Sequence, residues 1–294
     1  MDPKRILIVG ANGQLGKALR TRYPEAIAVD RDTFDVSDWH AVQAFDWSRI
    51  DTILNAAAYA QVDDAETAEG RLVAWQANAL GPANLAKIAL QRDLTLVHVS
   101  SDYVFDGRAK VHTEEEPYSP LNVYGQSKAA GDIAVGLAPK QYIVRVTWLI
   151  GDGPNFVRTM LALARQQTAP TVVNDQIGRL TFTQTLVEAI DHLLTTKAAF
   201  GIYNVSNDGD AVSWADIARL IFHHLHQDDL PITETSTEAY FAGKPGVAPR
   251  PRHSTLDLTK IKHSGLVLRN WRQDLQAYIQ QEQATPPSKA STEG

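Results

Sequence analysis

Short apolar runs alternate with longer amphipathic stretches through the first half of the chain, and the first of these runs ends in a glycine-rich turn. RILIVG (5–10), AIAVD (26–30), DTILNAA (51–57), LTLVHVSS (94–101) and QYIVRVTWLIG (141–151) are rich in Ile, Val, Leu and Thr. Most are nearly continuous apolar runs, the pattern of strands buried on both faces. Candidate helices lie between them, over 14–22, 38–46, 70–92 and 124–136. Strands joined through helices close as right-handed crossovers, so the alternation predicts an α/β chain with a parallel sheet covered on both faces. TVVND (171–175) and GIYNVSN (201–207) are candidates for added strands. Past about residue 205 the pattern changes: SWADIARLIFHHLH (213–226) has helical spacing behind a serine cap, AGKPGVAPRPRHS (242–254) carries turn signals, and a last helix is expected near 271–282.

This divides the chain into residues 1–150 as the main unit, with 172–200 returning to it, and a smaller mixed α/β unit from 151–171 and 201–282. The polar, Pro/Ser-rich tail at 283–294 is expected to be disordered. The net charge of −6 comes without a basic block, which argues against a nucleic-acid partner. No apolar run reaches the ~18 residues that span a bilayer, so no membrane partner is expected. The first apolar run is too short for a signal-peptide core. With no cysteine in the chain, a cytoplasmic protein is the expectation. Histidines 223, 224 and 226 share one helix but lack flanking acidic or cysteine ligands, so a solvated helix face is favoured over a metal cluster.

GANGQLG (10–16) follows the first strand directly and opens a helix. Gly10 permits the tight turn, Gly13 lets the backbone approach a pyrophosphate, and Gly16 lets the helix pack closely. The free amides of the helix start then face the phosphates of a dinucleotide. The GxxGxxG spacing is the short-chain dehydrogenase form of this turn. Asp30 ends the second strand about 20 residues on, where a carboxylate accepts hydrogen bonds from the adenosine ribose. Arg31 follows at once and could hold a 2′-phosphate instead, so the two residues pull cofactor choice in opposite directions. Asp35 and Val36 could flank the adenine, although Asp35 is equally readable as a helix-start residue. The small residues of NAAAYA (55–60) would let the backbone pass close to a cofactor, or pack tightly for its own sake.

Tyr124 and Lys128 stand i, i+4 on a predicted helix and so share one face. A phenol with a pKa near ~10 is a poor acid or base at neutral pH. A nearby ammonium favours the phenolate and lowers that value. Tyr124 could then give a proton to a carbonyl oxygen as hydride reaches the carbon. Lys128 could also hold the nicotinamide ribose. Ser100 and Ser101, in VSSDYVFDG at the end of the fourth strand, supply a further donor to orient that carbonyl.

In chain order, GANGQLG, NAAAYAQVDDAE, VSSDYVFDG, SPLNVYGQSKAAGD, RVTWLIG, NFVRTML, NDQIGR and RPRHSTLDL resemble the blocks of the dTDP-4-dehydrorhamnose reductase family, within the extended short-chain dehydrogenase/reductases. The resemblance runs from about residue 5 to 280. It implies a Rossmann-type doubly wound parallel sheet with a smaller substrate-binding domain. It also implies reduction, by NADPH or NADH, of the 4-keto group of dTDP-4-dehydro-6-deoxy-L-mannose to dTDP-L-rhamnose, the last step towards activated rhamnose for bacterial surface polysaccharides. Tyr124 matches the proton donor and Lys128 its partner, and Ser101 stands where the family usually has threonine. Gly13, Gln14 and Leu15 match phosphate contacts, so that Gly10, Asn12 and Gly16 complete the expected turn. Asp30, Asp35, Val36, Ala58, Tyr59 and Ala60 match further cofactor contacts. Ser101, Asp102, Tyr103 and Trp148 match sugar-nucleotide contacts, although Trp148 could be core and Asp102 could cap a turn.

The smaller unit should supply cations for the substrate diphosphate, and Arg252 in RPRHS is the expected source. The family's DQxGxPT reads DQIGRLT here, with Leu180 for proline, which bears on a loop near the junction of the two units. Ala18 replaces a glutamate that some relatives use in a magnesium-bridged dimer, so no metal is expected, and a homodimer is compatible with the sequence without being required by it. Two rival readings remain. One is a 4-ketoreductase for another nucleotide deoxysugar. The other is a non-catalytic regulatory subunit of the methionine adenosyltransferase type, against which the intact serine, tyrosine and lysine argue.

Overall fold

The computed structural model describes residues 2–284. Its centre is a six-stranded parallel sheet. Five strands are those expected: β1 (Ile6–Val9), β2 (Ile27–Val29), β3 (Thr52–Asn55), β4 (Thr95–Ser101) and β5 (Gln141–Val146). The sixth is Gly201–Val205, and the order runs Gly201–Val205, β5, β4, β3, β1, β2. The chain therefore reverses its direction of winding at β1, between β3 and β2. Ligand crevices in such sheets open at this point, beyond the carboxyl ends of the strands.

Successive residues of β1 enter different cores, which is why its sequence is apolar without alternation. Ile6 and Ile8 join α1 (Gln14–Arg22) and α7 (Thr183–Thr195) on one face. Leu7 and Val9 join the other face, with Val42 of α2 (Trp39–Ala44), Leu85 and Ile88 of α4 (Gly81–Arg92) and Val135 of α5 (Val123–Val135). A third core gathers α6 (Phe156–Arg165), α8 (Trp214–His224) and the helix Trp271–Ala284 into the smaller unit. Leu180 is completely buried in that core.

Several boundaries differ from the sequence expectation. Gly201–Val205 pairs in parallel with β5, so this segment belongs to the main sheet and not to the smaller unit. Leu258, Ile261 and Leu268 likewise pack on the main sheet beside Tyr203. Thr171–Val173 goes the other way: it pairs with Thr233–Thr235, and Val172 lies in the smaller core. The run expected as one strand over 141–151 breaks after Val146, and Leu149–Ile150 pairs separately with Thr181–Phe182. The helix expected over 70–92 is α3 (Ala68–Trp75) and α4 joined through one wide π turn, Gln76–Leu80. Of the tail expected at 283–294, residues 283 and 284 complete the last helix and the rest lies outside the described residues. Among the described residues no helix is long and apolar enough to cross a membrane.

Candidate active site

The glycine turn is built by close approach. Gly10 has φ +77°, and a β-carbon there would lie 2.6 Å from the Ala57 backbone. A β-carbon at Gly16 would overlap the Gly10 carbonyl oxygen, so α1 can start this close to β1 only with glycine. Gly13 occupies the N-cap of α1 with no side-chain cap bond, which leaves the first helix amides facing the cleft. Asp30 ties this turn to the end of β2. Its two oxygens accept from the Asn12 amide at 2.8 Å and the Arg31 amide at 2.7 Å. Each can accept a second bond.

Beside the turn lies a hollow of about 260 Å³ lined by Gly10, Gly13, Asp30, Arg31, Asp35, Val36, Ala58 and Tyr59. Val73, Gln76 and Ala77, on α3 and the π turn, close its far wall. Asp35 braces the loop by accepting from the Ser37 amide and hydroxyl at 2.8 and 2.7 Å. Gly13, Ala56 and Ala58 also border a second cavity of about 650 Å³. That cavity is lined by Asn12, Gln14, Leu15, Ala60, Ser100, Ser101, Asp102, Tyr103, Tyr124, Lys128 and Trp148. The fold thus brings the expected positions together in one continuous cleft, except for Gly16, which works from underneath, and Arg252.

Tyr124 projects from the first turn of α5, which Asn122 caps by accepting from the Gly125 amide at 2.7 Å. A β-carbon at Gly125 would overlap the Tyr103 carbonyl, so the helix lies directly on the turn that follows β4. The Tyr124 phenol and the Ser101 hydroxyl line the same cavity, and the Tyr103 ring meets Tyr124 edge-on at 5.4 Å. Burial pushes the Tyr124 phenol up to about 12, the opposite of the lowering expected from a neighbouring ammonium. Lys128 is turned to the backbone of β4. Its ammonium donates to the Val99 carbonyl at 2.6 Å, and burial holds its own pKa down to about 8. Tyr124 is therefore a protonated donor at neutral pH. Ser101 donates to Asp102 at 3.1 Å, and burial pushes the Asp102 carboxyl up to about 6. The Ser100 hydroxyl is buried without a partner.

Asn78 is a residue that sequence reasoning missed. The π turn aims it inward, where it is completely buried. Its carbonyl accepts from the Tyr59 amide at 2.9 Å, and its amide donates to the Tyr59 carbonyl and the Ser127 hydroxyl, both at 3.0 Å. One side chain thereby fixes the loop carrying Ala58–Ala60 against the helix carrying Tyr124 and Lys128. The only signal in the sequence is an asparagine inside an otherwise apolar helical run, QANALGP.

Trp148 lies at the junction of the two units with φ +43°, a costly conformation for a bulky residue. Its ring stacks on Trp214 at 3.7 Å and covers Gly178, where a β-carbon would come within 2.9 Å of the indole. Arg252 is exposed and does not line the cleft. Arg250, two residues earlier, is the arginine that turns inward. It pairs with Asp63 at 2.8 Å. Among the described residues, no three His, Asp or Glu side chains are grouped so as to hold a metal ion, and His223 is exposed and bonded to Asp228.

Residues 4–284 match the family model described as the RmlD substrate binding domain. A dTDP-4-dehydrorhamnose reductase of Aggregatibacter actinomycetemcomitans is 36% identical over 291 residues, spanning 92% of this chain and 97% of that protein. A probable dTDP-4,6-dihydroxy-2-methyloxan-3-one 4-ketoreductase of Streptomyces antibioticus is 37% identical, spanning 92% and 93%. The crystal structure of dTDP-4-dehydrorhamnose reductase from Bacillus anthracis in complex with NADP superposes with a TM-score of 0.84 at 34% identity, over 94% of this chain and 98% of that one.

Proposed function

The chain belongs to the RmlD substrate-binding family, that of dTDP-4-dehydrorhamnose reductase, and on that premise we propose that it reduces the 4-keto group of dTDP-4-dehydro-6-deoxy-L-mannose to give dTDP-L-rhamnose. NADPH is the preferred reductant and NADH is also accepted. The observation that carries this reading is the convergence of Ser101, Tyr124 and Lys128 on one wall of a cleft whose other end is the glycine turn. The turn fits a dinucleotide: Gly13 leaves the cleft side open, the α1 amides face it, and the hollow beside Asp30 and Arg31 suits an adenosine.

The chemistry supplied by a reduced nicotinamide is one hydride for the carbonyl carbon. Tyr124 holds the proton that the carbonyl oxygen must gain, and its raised pKa keeps that proton in place until negative charge develops on the oxygen. Ser101, beside Tyr124 in the cleft, turns its one hydroxyl proton from Asp102 to the same oxygen. Lys128, tied to Val99, offers positive charge beneath the phenol as its proton leaves. Trp148, Asp102 and Tyr103 wall the sugar. The smaller unit is the side from which the dTDP-sugar is held, and the cytoplasm, which contains the reduced cofactor, is the proposed compartment.

The Streptomyces antibioticus relative is as similar as the dTDP-4-dehydrorhamnose reductase, which favours a second reading: a 4-ketoreductase for another dTDP-deoxysugar. Oxidation of NADPH by the purified protein, followed over a panel of dTDP-4-keto-6-deoxysugars, decides between them. The proposal expects dTDP-4-dehydrorhamnose to have the highest kcat/KM. A preference for another sugar favours the sibling reading, and no turnover of any panel member overturns both.

A further inference from the structure

The helix that carries Tyr124 and Lys128 continues the same face one turn deeper, to Asp132. The spacing i, i+4, i+8 puts all three on one stripe of α5. Tyr124 faces the cleft and Lys128 reaches the end of β4. The Asp132 side chain is completely enclosed between strands, with one oxygen 3.6 Å from His98 Nε2 of β4 and the other 3.5 Å from Arg145 Nε of β5. Neither oxygen has a hydrogen bond of ordinary length. The Arg145 guanidinium is equally enclosed, over the rings of Phe105 and Tyr118. The chemistry proposed above uses neither Asp132 nor Arg145.

We infer that Asp132 is a positioning residue for the reaction: it is the counter-charge that lets two buried cations, Lys128 and Arg145, coexist under the active site, and it keeps Lys128 an ammonium while Tyr124 gives up its proton. The inference rests on the reading of Lys128 as the partner of Tyr124. The charges facing this point are few. Lys128 and Tyr124 share the helix with Asp132, His98 approaches from β4, Arg145 from β5, and the Tyr118 hydroxyl from the loop before α5. His98 adds no charge at neutral pH, since burial and the Lys128 ammonium hold its pKa down to about 4. Its Nδ1 accepts from Asn55 at 3.0 Å, which leaves Nε2–H directed at Asp132. Two cations and the Asp132 carboxylate remain, with Glu114 beside Arg145: its carbonyl accepts from the guanidinium at 3.2 Å and its carboxylate from the Asn204 amide at 3.0 Å. Burial disfavours the Lys128 ammonium, and Asp132 is the group that favours it. Arg145 competes with Lys128 for that same carboxylate.

Opposite substitutions should therefore move Lys128 in opposite directions. The readout is the titration of Lys128 itself, in cofactor-free protein labelled with 13C at lysine Cε, with the resonance assigned by its loss in Lys128→Met. Asp132→Asn should move the midpoint down by about one pH unit. Arg145→Gln, which frees Asp132 to serve Lys128 alone, should move it up by about half a unit. The alkaline limb of NADPH-dependent turnover should shift the same way in each variant. A merely structural Asp132 predicts a lower melting temperature and an unmoved midpoint, and that result in folded Asp132→Asn overturns the inference. If Asp132→Asn does not fold, Arg145→Gln decides alone, and a midpoint that stays or falls overturns it. The titration needs no substrate, so absence of turnover in the wild type would refute the reductase reading and still leave the charge coupling measured.

Discussion

Asn78→Ala cuts a buried side chain that joins the two walls of the cleft. The substitution removes three hydrogen bonds, to the Tyr59 amide, the Tyr59 carbonyl and the Ser127 hydroxyl. At ~1 kcal/mol net per bond, the loss of stability should be about 3 kcal/mol, more where the freed groups stay dry. Helix α5 cannot close the gap by moving inward, because the Asn78 backbone carbonyl already touches Gly131, where even a β-carbon would overlap it. The Tyr59 loop should therefore loosen, and cofactor affinity and turnover should fall together. Urea unfolding monitored by tryptophan fluorescence gives the stability change, and fluorescence titration gives the NADPH Kd. Asn78→Asp keeps the acceptor for the Tyr59 amide and should fall between wild type and Asn78→Ala. A double-mutant cycle with Ser127→Ala should return a coupling of about 1 kcal/mol for their shared bond. A loss below about 1 kcal/mol in Asn78→Ala with an unchanged Kd would refute the reasoning, since it would mean that water replaces the side chain without cost.

Three further outcomes are expected. Tyr124→Phe should leave NADPH affinity nearly intact and lower single-turnover hydride transfer by about 10²–10⁴-fold, the usual share of a positioned acid–base group; a well-folded variant with near wild-type turnover would sink the assignment. Asp102, pushed up by burial to about 6, binds its proton more tightly folded than unfolded, so its ionisation opposes folding above about pH 6 and not below its unfolded value. Asp102→Asn should therefore raise Tm at pH 8, by the equivalent of about 1–3 kcal/mol, with the gain fading as pH falls towards 4 and with a higher KM for the sugar; an equal gain at both pH values would contradict this. Arg31→Ala should lower the NADPH/NADH ratio of kcat/KM by about tenfold, the worth of a charge-assisted bond to a 2′-phosphate, and an unchanged ratio would return the choice to Asp30.

Much of the site could be read from the chain because its signals are local. β1 to β5 are apolar runs bounded by turns, and GANGQLG stands where a strand must turn sharply into a helix. A helix puts residues four apart on one face whatever surrounds it, so Tyr124 and Lys128 were legible as a pair. The assignment of Gly201–Val205 to the main sheet was not, because an edge strand has the same local pattern whichever sheet it joins, and only its pairing with β5 decides. Thr171–Val173 was ambiguous for the same reason and pairs with Thr233–Thr235. Charged and polar residues depend still more on what surrounds them. Arg250 and Arg252 are equivalent in sequence, and the path of the loop turns one inward to Asp63 and leaves the other exposed. Asn78 and Asp132 read as ordinary helix residues until distant segments close over them. Burial then removes water as a partner, so the groups that remain within reach, Tyr59 and Ser127 for one, Lys128 and Arg145 for the other, determine what each residue does.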